Sequence, residues 1–161
     1  MVKMMEPSFE KLLEGLSSNG VRFIVVGGLA VSLNGYIRLT EDVDFIVDVC
    51  PDNIERLISF LKQFGKGYGG DLTPEDFKLE PGAIRIFEET EDCQMDIFTI
   101  NGGLTYQDLV DGADQTEVKG TKVLYASKLQ LIEIKSSSQR EKDRIDISAL
   151  RQLIDNPEAF D

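Results

Sequence analysis

Two aspartates one residue apart interrupt an apolar run, Asp42 and Asp44 in the stretch TEDVDFIVD. On a β-strand, residues i and i+2 share a face. Both carboxylates therefore project the same way, while Val43 and Phe45 point to the opposite side and into a core. Most such pairs sit on solvated strand edges. The apolar flanks here argue for a buried strand, where unpaired acids are expensive and like charges raise each other's pKa unless a cation lies between them. Carboxylates on a rigid strand suit Mg²⁺, which takes one or two of them together with substrate phosphates.

A glycine pair, Gly27-Gly28, follows the apolar run IVV and opens a short helical stretch. Glycine lets the backbone approach a ligand closely, and the N–H groups of a helix start can meet a phosphate. A tight strand-to-helix turn needs glycine in any case, so the pair gains meaning from its order: strand, Gly-Gly, helix, then a strand with D-x-D. No G-K-[ST] follows, which excludes a Walker A loop. Asp96 in CQMDIFTI is a lone acid among apolar residues, either an outward-facing strand residue or a third carboxylate beside the first two. Three carboxylates from two strands can hold two metal ions and run an in-line phosphoryl displacement.

The elements that position these groups alternate between helical and extended patterns. Residues 8–16 place Phe9, Leu12, Leu13 and Leu16 at helical spacing, with Ser8 as cap, and SSNG stops the helix. Val21–Val26 reads as a buried strand, Leu29–Leu33 as a short helix ended by Asn34-Gly35, and Asp42–Asp48 as the next strand. Residues 52–64 form an amphipathic helix; 65–77, rich in turn residues, read as a long loop open to motion. Ala83–Phe87 and Cys93–Ile100 form two strands across the acidic turn EETED. A looser segment, 102–117, leads to an extended TKVLYA and then to two helices, about 127–135 and 140–155, separated by SSS. Strands interleaved with helices indicate an α/β or α+β layer structure.

Composition narrows the chemistry. With 161 residues and 42% hydrophobic content, the chain is expected to be a single domain, 1–161, with a core region of about 8–100 and C-terminal helices of about 127–155. There is no histidine, which removes Ser-His-Asp, Cys-His and His-ligated metal chemistry; carboxylates, Lys, Arg and hard metal ions remain. Cys50 and Cys93 make neither a disulfide framework nor a zinc site. The start, MVKMMEPSFEK, has no apolar leader segment, and no stretch is long enough to span a bilayer, so a cytoplasmic protein with reduced thiols is expected. A net charge of −12 disfavours an extended nucleic-acid surface while leaving room for a local basic pocket.

The pattern VVGGLAVSLNGYIRLTEDVDFIV resembles the nucleotidyltransferase superfamily with the DNA polymerase β-type core, written h-G-[GS], spacer, D-h-D, and a later acid on a strand. Its form here, with Gly35, Arg38, Thr40, Asp42 and Asp44 as G-x-x-R-x-T-x-D-x-D, is closest to small bacterial members. These include AbiEii-like toxins of toxin–antitoxin systems and relatives of antibiotic nucleotidyltransferases. The resemblance implies a mixed β-sheet flanked by helices with a C-terminal helical pair. It also implies Mg²⁺ (or Mn²⁺) held by Asp42, Asp44 and Asp96, an NTP substrate, and transfer of a nucleoside monophosphate to an acceptor with pyrophosphate release. Nucleotide contacts carried over from it are Gly27, Gly28, Arg38 and Thr40, Lys128 or Lys135, and Asp143 or Asp146 in SKLQLIEIKSSSQREKDRIDISAL. A plain solvated helix accounts equally for the charges of QREKDR. Where many relatives carry Ser, this chain has Gly28, so that contact would be through backbone alone.

The expected function is a Mg-dependent nucleotidyltransferase. Its acceptor is undetermined between RNA, protein and small molecule, and an antitoxin partner is in view. The alternative is a catalytically silent nucleotide-binding module of the same fold.

Overall fold

In the computed structural model, which describes residues 5–161, the first helix, α1 (Pro7–Ser18), starts on a proline whose fixed φ suits the first helical turn. It buries Phe9, Leu12, Leu13 and Leu16, the stripe that the spacing predicts. Strand β1 (Phe23–Val26) is buried along its length and runs directly into α2 (Gly27–Leu33). The helix therefore begins at the glycines rather than at Leu29. Gly27 takes φ +67°, which lets the chain swing from strand to helix without a spacer.

Strand β2 (Asp42–Val47) follows, then α3 (Pro51–Leu61), again opened by proline. Strands β3 (Ile84–Glu88) and β4 (Cys93–Phe98) form the expected antiparallel pair. Strand β7 (Asp114–Val118) pairs with β8 (Thr121–Tyr125), and α5 (Lys128–Lys135) and α6 (Glu141–Asp155) close the chain. These strands make one six-stranded mixed sheet in the order β3-β4-β2-β1-β8-β7. Helix α1 packs against β4, β7, β8 and α3, while α2 packs on β1, β2 and α5, which in turn carries α6. The helical pair at the C-terminus is thereby brought to the α2 end of the central strands.

Two segments are more ordered than their composition suggests. Residues 65–77 are not an open loop: they contain 3-10 turns at Tyr68–Asp71 and Pro74–Phe77, and Phe77 is buried. The side chain of Glu88, itself fully buried, accepts backbone N–H bonds from Lys66 (2.9 Å) and Tyr68 (2.8 Å) and ties this segment to β3. The looser 102–117 segment begins inside a small hairpin, β5 (Ile100–Asn101) with β6 (Leu104–Thr105), and continues through α4 (Tyr106–Leu109) into β7. Strand β7, with sequence DQTEV, pairs only with β8 and stands at the sheet edge. A mostly solvated edge needs no apolar alternation, which is why its sequence carries no strand signal. No helix of the described residues is long and apolar enough to cross a membrane.

Candidate functional site

The register of three central strands assembles the carboxylates. Val26, the last residue of β1, lies opposite Asp44 in the antiparallel β1–β2 ladder. The parallel β2–β4 ladder sets Asp44 directly opposite Asp96. Val43 and Phe45 are fully buried on the other face, as the alternation requires. One oxygen from each of Asp42, Asp44 and Asp96 lies within 4.8 Å of the others, a spacing one cation can bridge.

Gly27 stands at the end of the β1 ladder, hard against the Asp44 carboxylate, and a Cβ there would overlap it. The glycine is thus required twice, by its φ of +67° and by the acid it faces. At Gly28, a Cβ would meet the Arg38 guanidinium at 3.0 Å and Thr40 Oγ1 at 3.1 Å. Thr40 Oγ1 donates to the Asp42 carbonyl oxygen at 3.2 Å and so braces the start of β2.

Burial pushes the Asp44 carboxyl up from its ordinary 3.8 to about 7, with the neighbouring Asp42 and Asp96 adding to the effect and Lys135 and Lys142 partly opposing it. Its Oδ1 is buried without a hydrogen-bond partner among the described residues. This is the condition of a carboxylate cluster one cation short of balance, and the all-oxygen donor set suits a hard divalent ion. Asp96 is engaged differently. Both its oxygens accept from Arg85, Oδ1 from Nε and Oδ2 from Nη2, each at 2.9 Å.

The cleft in front of these groups has a volume of about 260 Å³. Although the protein carries a net charge of −12, five basic side chains reach this cleft: Arg38, Arg85, Lys135, Arg140 and Lys142. They stand among five acids of the same lining, Glu41, Asp42, Asp44, Asp96 and Asp143. The cleft is thus charge-balanced where the protein as a whole is acidic, and a divalent cation on the acids would tip it toward a polyphosphate.

Behind it lies a buried ionic network. Lys135, at the end of α5, reaches Asp143 at 2.9 Å and Asp146 at 3.3 Å, both on α6. Asp146, only 1% exposed, also accepts from Arg38 at 2.9 Å. Burial alone would raise the Asp143 carboxyl, but hydrogen bonds from Ser138 and Lys135 outweigh it and hold the group below its usual range. Asp143 lines the cleft, while Asp146 lies beneath it and anchors the two cations that face it.

Among the expected residues, Gly27, Gly28, Arg38, Thr40, Asp42, Asp44, Asp96, Lys135 and Asp143 all line this one cleft. Lys128 does not. It is the first residue of α5, two helical turns before Lys135, which places it about 10 Å away along the axis. Of the two lysines the sequence left open, only Lys135 reaches the acids. Arg140 and Lys142, from the QREKDR run that the resemblance turns toward the nucleotide and a plain solvated helix explains equally, line the cleft. Arg85 was missed, as was Gln94, whose Nε2 donates to Asp42 Oδ2 at 3.3 Å. Arg85 was within reach: once Glu88 is paired with Cys93 across the turn, counting back along the hairpin brings Arg85 opposite Asp96.

A family model described as "Nucleotidyl transferase of unknown function (DUF2204)" matches residues 6–160. The chain belongs to this nucleotidyl transferase family. Solved structures similar to this nucleotidyl transferase family member include that of the lincosamide antibiotic adenylyltransferase LnuA with lincomycin bound. The TM-score is 0.61 at 20% identity, over 94% of this chain and 99% of that one. An antigenic nucleotidyltransferase-like protein from Paracoccidioides brasiliensis is also similar, with a TM-score of 0.53 at 18% identity, over 89% of this chain and 73% of that one. Both likenesses are of fold, and they agree with the mixed sheet and flanking helices of this chain. No match was found among curated proteins.

Proposed function

We propose that the protein is a Mg²⁺-dependent nucleotidyltransferase that moves a nucleoside monophosphate from an NTP to an acceptor hydroxyl and releases pyrophosphate. The observation that carries this reading is the convergence of Asp42, Asp44 and Asp96 within 4.8 Å in a cleft that also presents basic side chains. Asp42 and Asp44, with Asp96, would hold the metal, which supplies Lewis-acid stabilisation of the charge developing on the phosphoryl oxygens.

The protein's own groups do the rest. Lys135, held by Asp143 and Asp146, and Arg38, held by Asp146, present fixed positive charge to the triphosphate. The backbone at Gly27-Gly28 allows close approach. The acceptor oxygen forms a bond to the α-phosphorus as the bond from that phosphorus to the pyrophosphate oxygen breaks, and Asp96 takes the acceptor proton.

A small acceptor with an apolar body suits the surroundings. A second groove, lined by Met5, Phe9, Ile37 and Leu39, shares Arg38 and Thr40 with the cleft. The similar structure of LnuA is that of a lincosamide antibiotic adenylyltransferase with lincomycin bound.

The test is incubation with each labelled NTP and Mg²⁺, with lincosamides and, separately, with a cell extract, while pyrophosphate is measured. Pyrophosphate release with label on a small molecule is expected, and its loss in Asp44→Asn ties it to this site. Label on RNA, with growth arrest on expression relieved by a neighbouring gene product, would replace the small acceptor with the toxin role. Nucleotide binding without release would leave only the silent-module reading.

A further inference from the structure

The deepest carboxylate of the triad already has a cation. Arg85 lies opposite Asp96 in the β3–β4 ladder and closes a two-bond fork on it, Nε to Oδ1 and Nη2 to Oδ2, both at 2.9 Å. The two partners live in different surroundings. The Asp96 side chain is 8% exposed, whereas that of Arg85 is 65% exposed and stands on the outermost strand of the sheet. Asp96 therefore depends on a charge partner, while Arg85 can return to water at small cost.

Resting on the metal reading above, we infer that Arg85 is a resident cation that occupies Asp96 and must be displaced before a divalent ion can use all three carboxylates. A guanidinium fork takes one lone pair of each carboxylate oxygen and sets a fixed positive charge against both. A divalent ion on Asp96 would therefore meet that charge at close range while the fork is closed. The same cleft offers a second seat, since among the described residues Asp42 and Asp44 carry no arginine fork and Asp44 Oδ1 has no hydrogen-bond partner. Cation binding thus divides into two unequal events. An ion bridging Asp42 and Asp44 enters without displacing Arg85. A site that includes Asp96 fills only as the fork opens. Once freed, the Arg85 side chain remains at the mouth of the cleft, on the strand next to Asp96, where it can meet an anionic group of the bound nucleotide or acceptor.

This differs from a purely structural role, in which Arg85 would hold Asp96 in its metal-binding orientation and its removal would weaken binding. Mn²⁺ titration followed by electron paramagnetic resonance of the free ion separates the two. In Arg85→Gln, affinity at the weaker site is expected to rise roughly threefold to fivefold, the scale of an exposed ion pair, while Asp96→Asn abolishes that site and keeps the stronger one. Arg85→Lys, which retains charge but loses the fork, should fall between wild type and Arg85→Gln.

In a parallel Mg²⁺ titration of the ¹⁵N-labelled protein, the arginine Nε–H resonance that is missing from Arg85→Gln should shift as the weaker site fills. Unchanged or weakened Mn²⁺ binding in Arg85→Gln, or an Arg85 resonance that stays in place while the ion binds, overturns the inference and leaves the metal reading intact. Absence of Mn²⁺ binding in wild type and Arg85→Gln alike overturns both.

Discussion

Arg38 and Asp146 are 108 residues apart in sequence and joined by a 2.9 Å ion pair. Asp146 simultaneously holds Lys135 at 3.3 Å, so a single buried carboxylate fixes two cations at the rim of the cleft. Removing it would take the carboxylate partner from Arg38 and leave Lys135 with Asp143. Asp146→Ala is expected to cost about 3–5 kcal/mol, the range for breaking a buried ion pair from one side. Urea denaturation measures this directly, and Asp146→Asn, which keeps an acceptor, should lose less.

The two lysines at either end of α5 give a matched pair of tests. Lys135→Ala should raise the KM or Kd for NTP by at least about tenfold, the loss of roughly one charge-assisted contact. Lys128→Ala, on the same helix but away from the acids, should leave nucleotide affinity at the wild-type value. Equal effects of the two substitutions would contradict the placement of the triphosphate.

Asp44 makes a prediction about pH. Its folded pKa, about 7, lies above its ordinary value of 3.8. The native state therefore holds this proton more tightly than the unfolded chain does. Its contribution to stability is fully present below pH 3.8 and is lost as pH rises through about 7. Relative to wild type, Asp44→Asn should be nearly neutral at pH 4 and stabilising at pH 7.5. The measurement is the difference in Tm between the two proteins across that range. Added Mg²⁺ should shrink the difference at pH 7.5 by neutralising the wild-type carboxylate.

Gly27→Ala tests the turn between β1 and α2. A side chain at φ +67° is strained, and the new methyl would displace the Asp44 carboxylate. A destabilisation of about 1–3 kcal/mol is expected from the backbone alone. Mn²⁺ binding should fall with it, because the displaced acid is one of the candidate ligands. A thermal melt paired with a metal titration checks both.

Glu88 tests the ordering of 65–71. Its buried carboxylate is the acceptor for the N–H groups of Lys66 and Tyr68. Glu88→Ala should cost about 3–6 kcal/mol, two hydrogen bonds to a charged group, and should open this segment to limited proteolysis. Glu88→Gln keeps an acceptor oxygen and should retain part of the protection.

Much of this site could be read in the chain because its central signals are local. D-x-D on an apolar strand and Gly-Gly at a strand's end depend on neighbours within a few residues, and their meaning survives without knowledge of the fold. Asp96 stood out for the same reason, as a single acid among Met95, Ile97 and Phe98. What stayed hidden depends on distance. Arg85 looks like any outward residue of an edge strand until β3 is laid beside β4. Choosing between Lys128 and Lys135 required the position of α5 relative to α6. Strand β7 was missed because a solvated edge strand carries no apolar alternation, and the 65–77 turns because their anchor, Glu88, lies on another element.

The pairing of Asp44 with Asp96 sets where this chain can change length. Between β2 and β3 the backbone travels through α3 and two 3-10 turns, and added or lost residues there leave the β2–β4 ladder as it is. A residue inserted in the turn 89–92 would slide Arg85 past Asp96 while keeping all three acids together. A residue inserted inside β4 ahead of Asp96 would turn that carboxylate to the opposite face of the sheet. Tolerance to insertion therefore falls in three steps along fewer than fifty residues: silent in the crossover, altering the cation balance in the hairpin, and dismantling the triad in the strand.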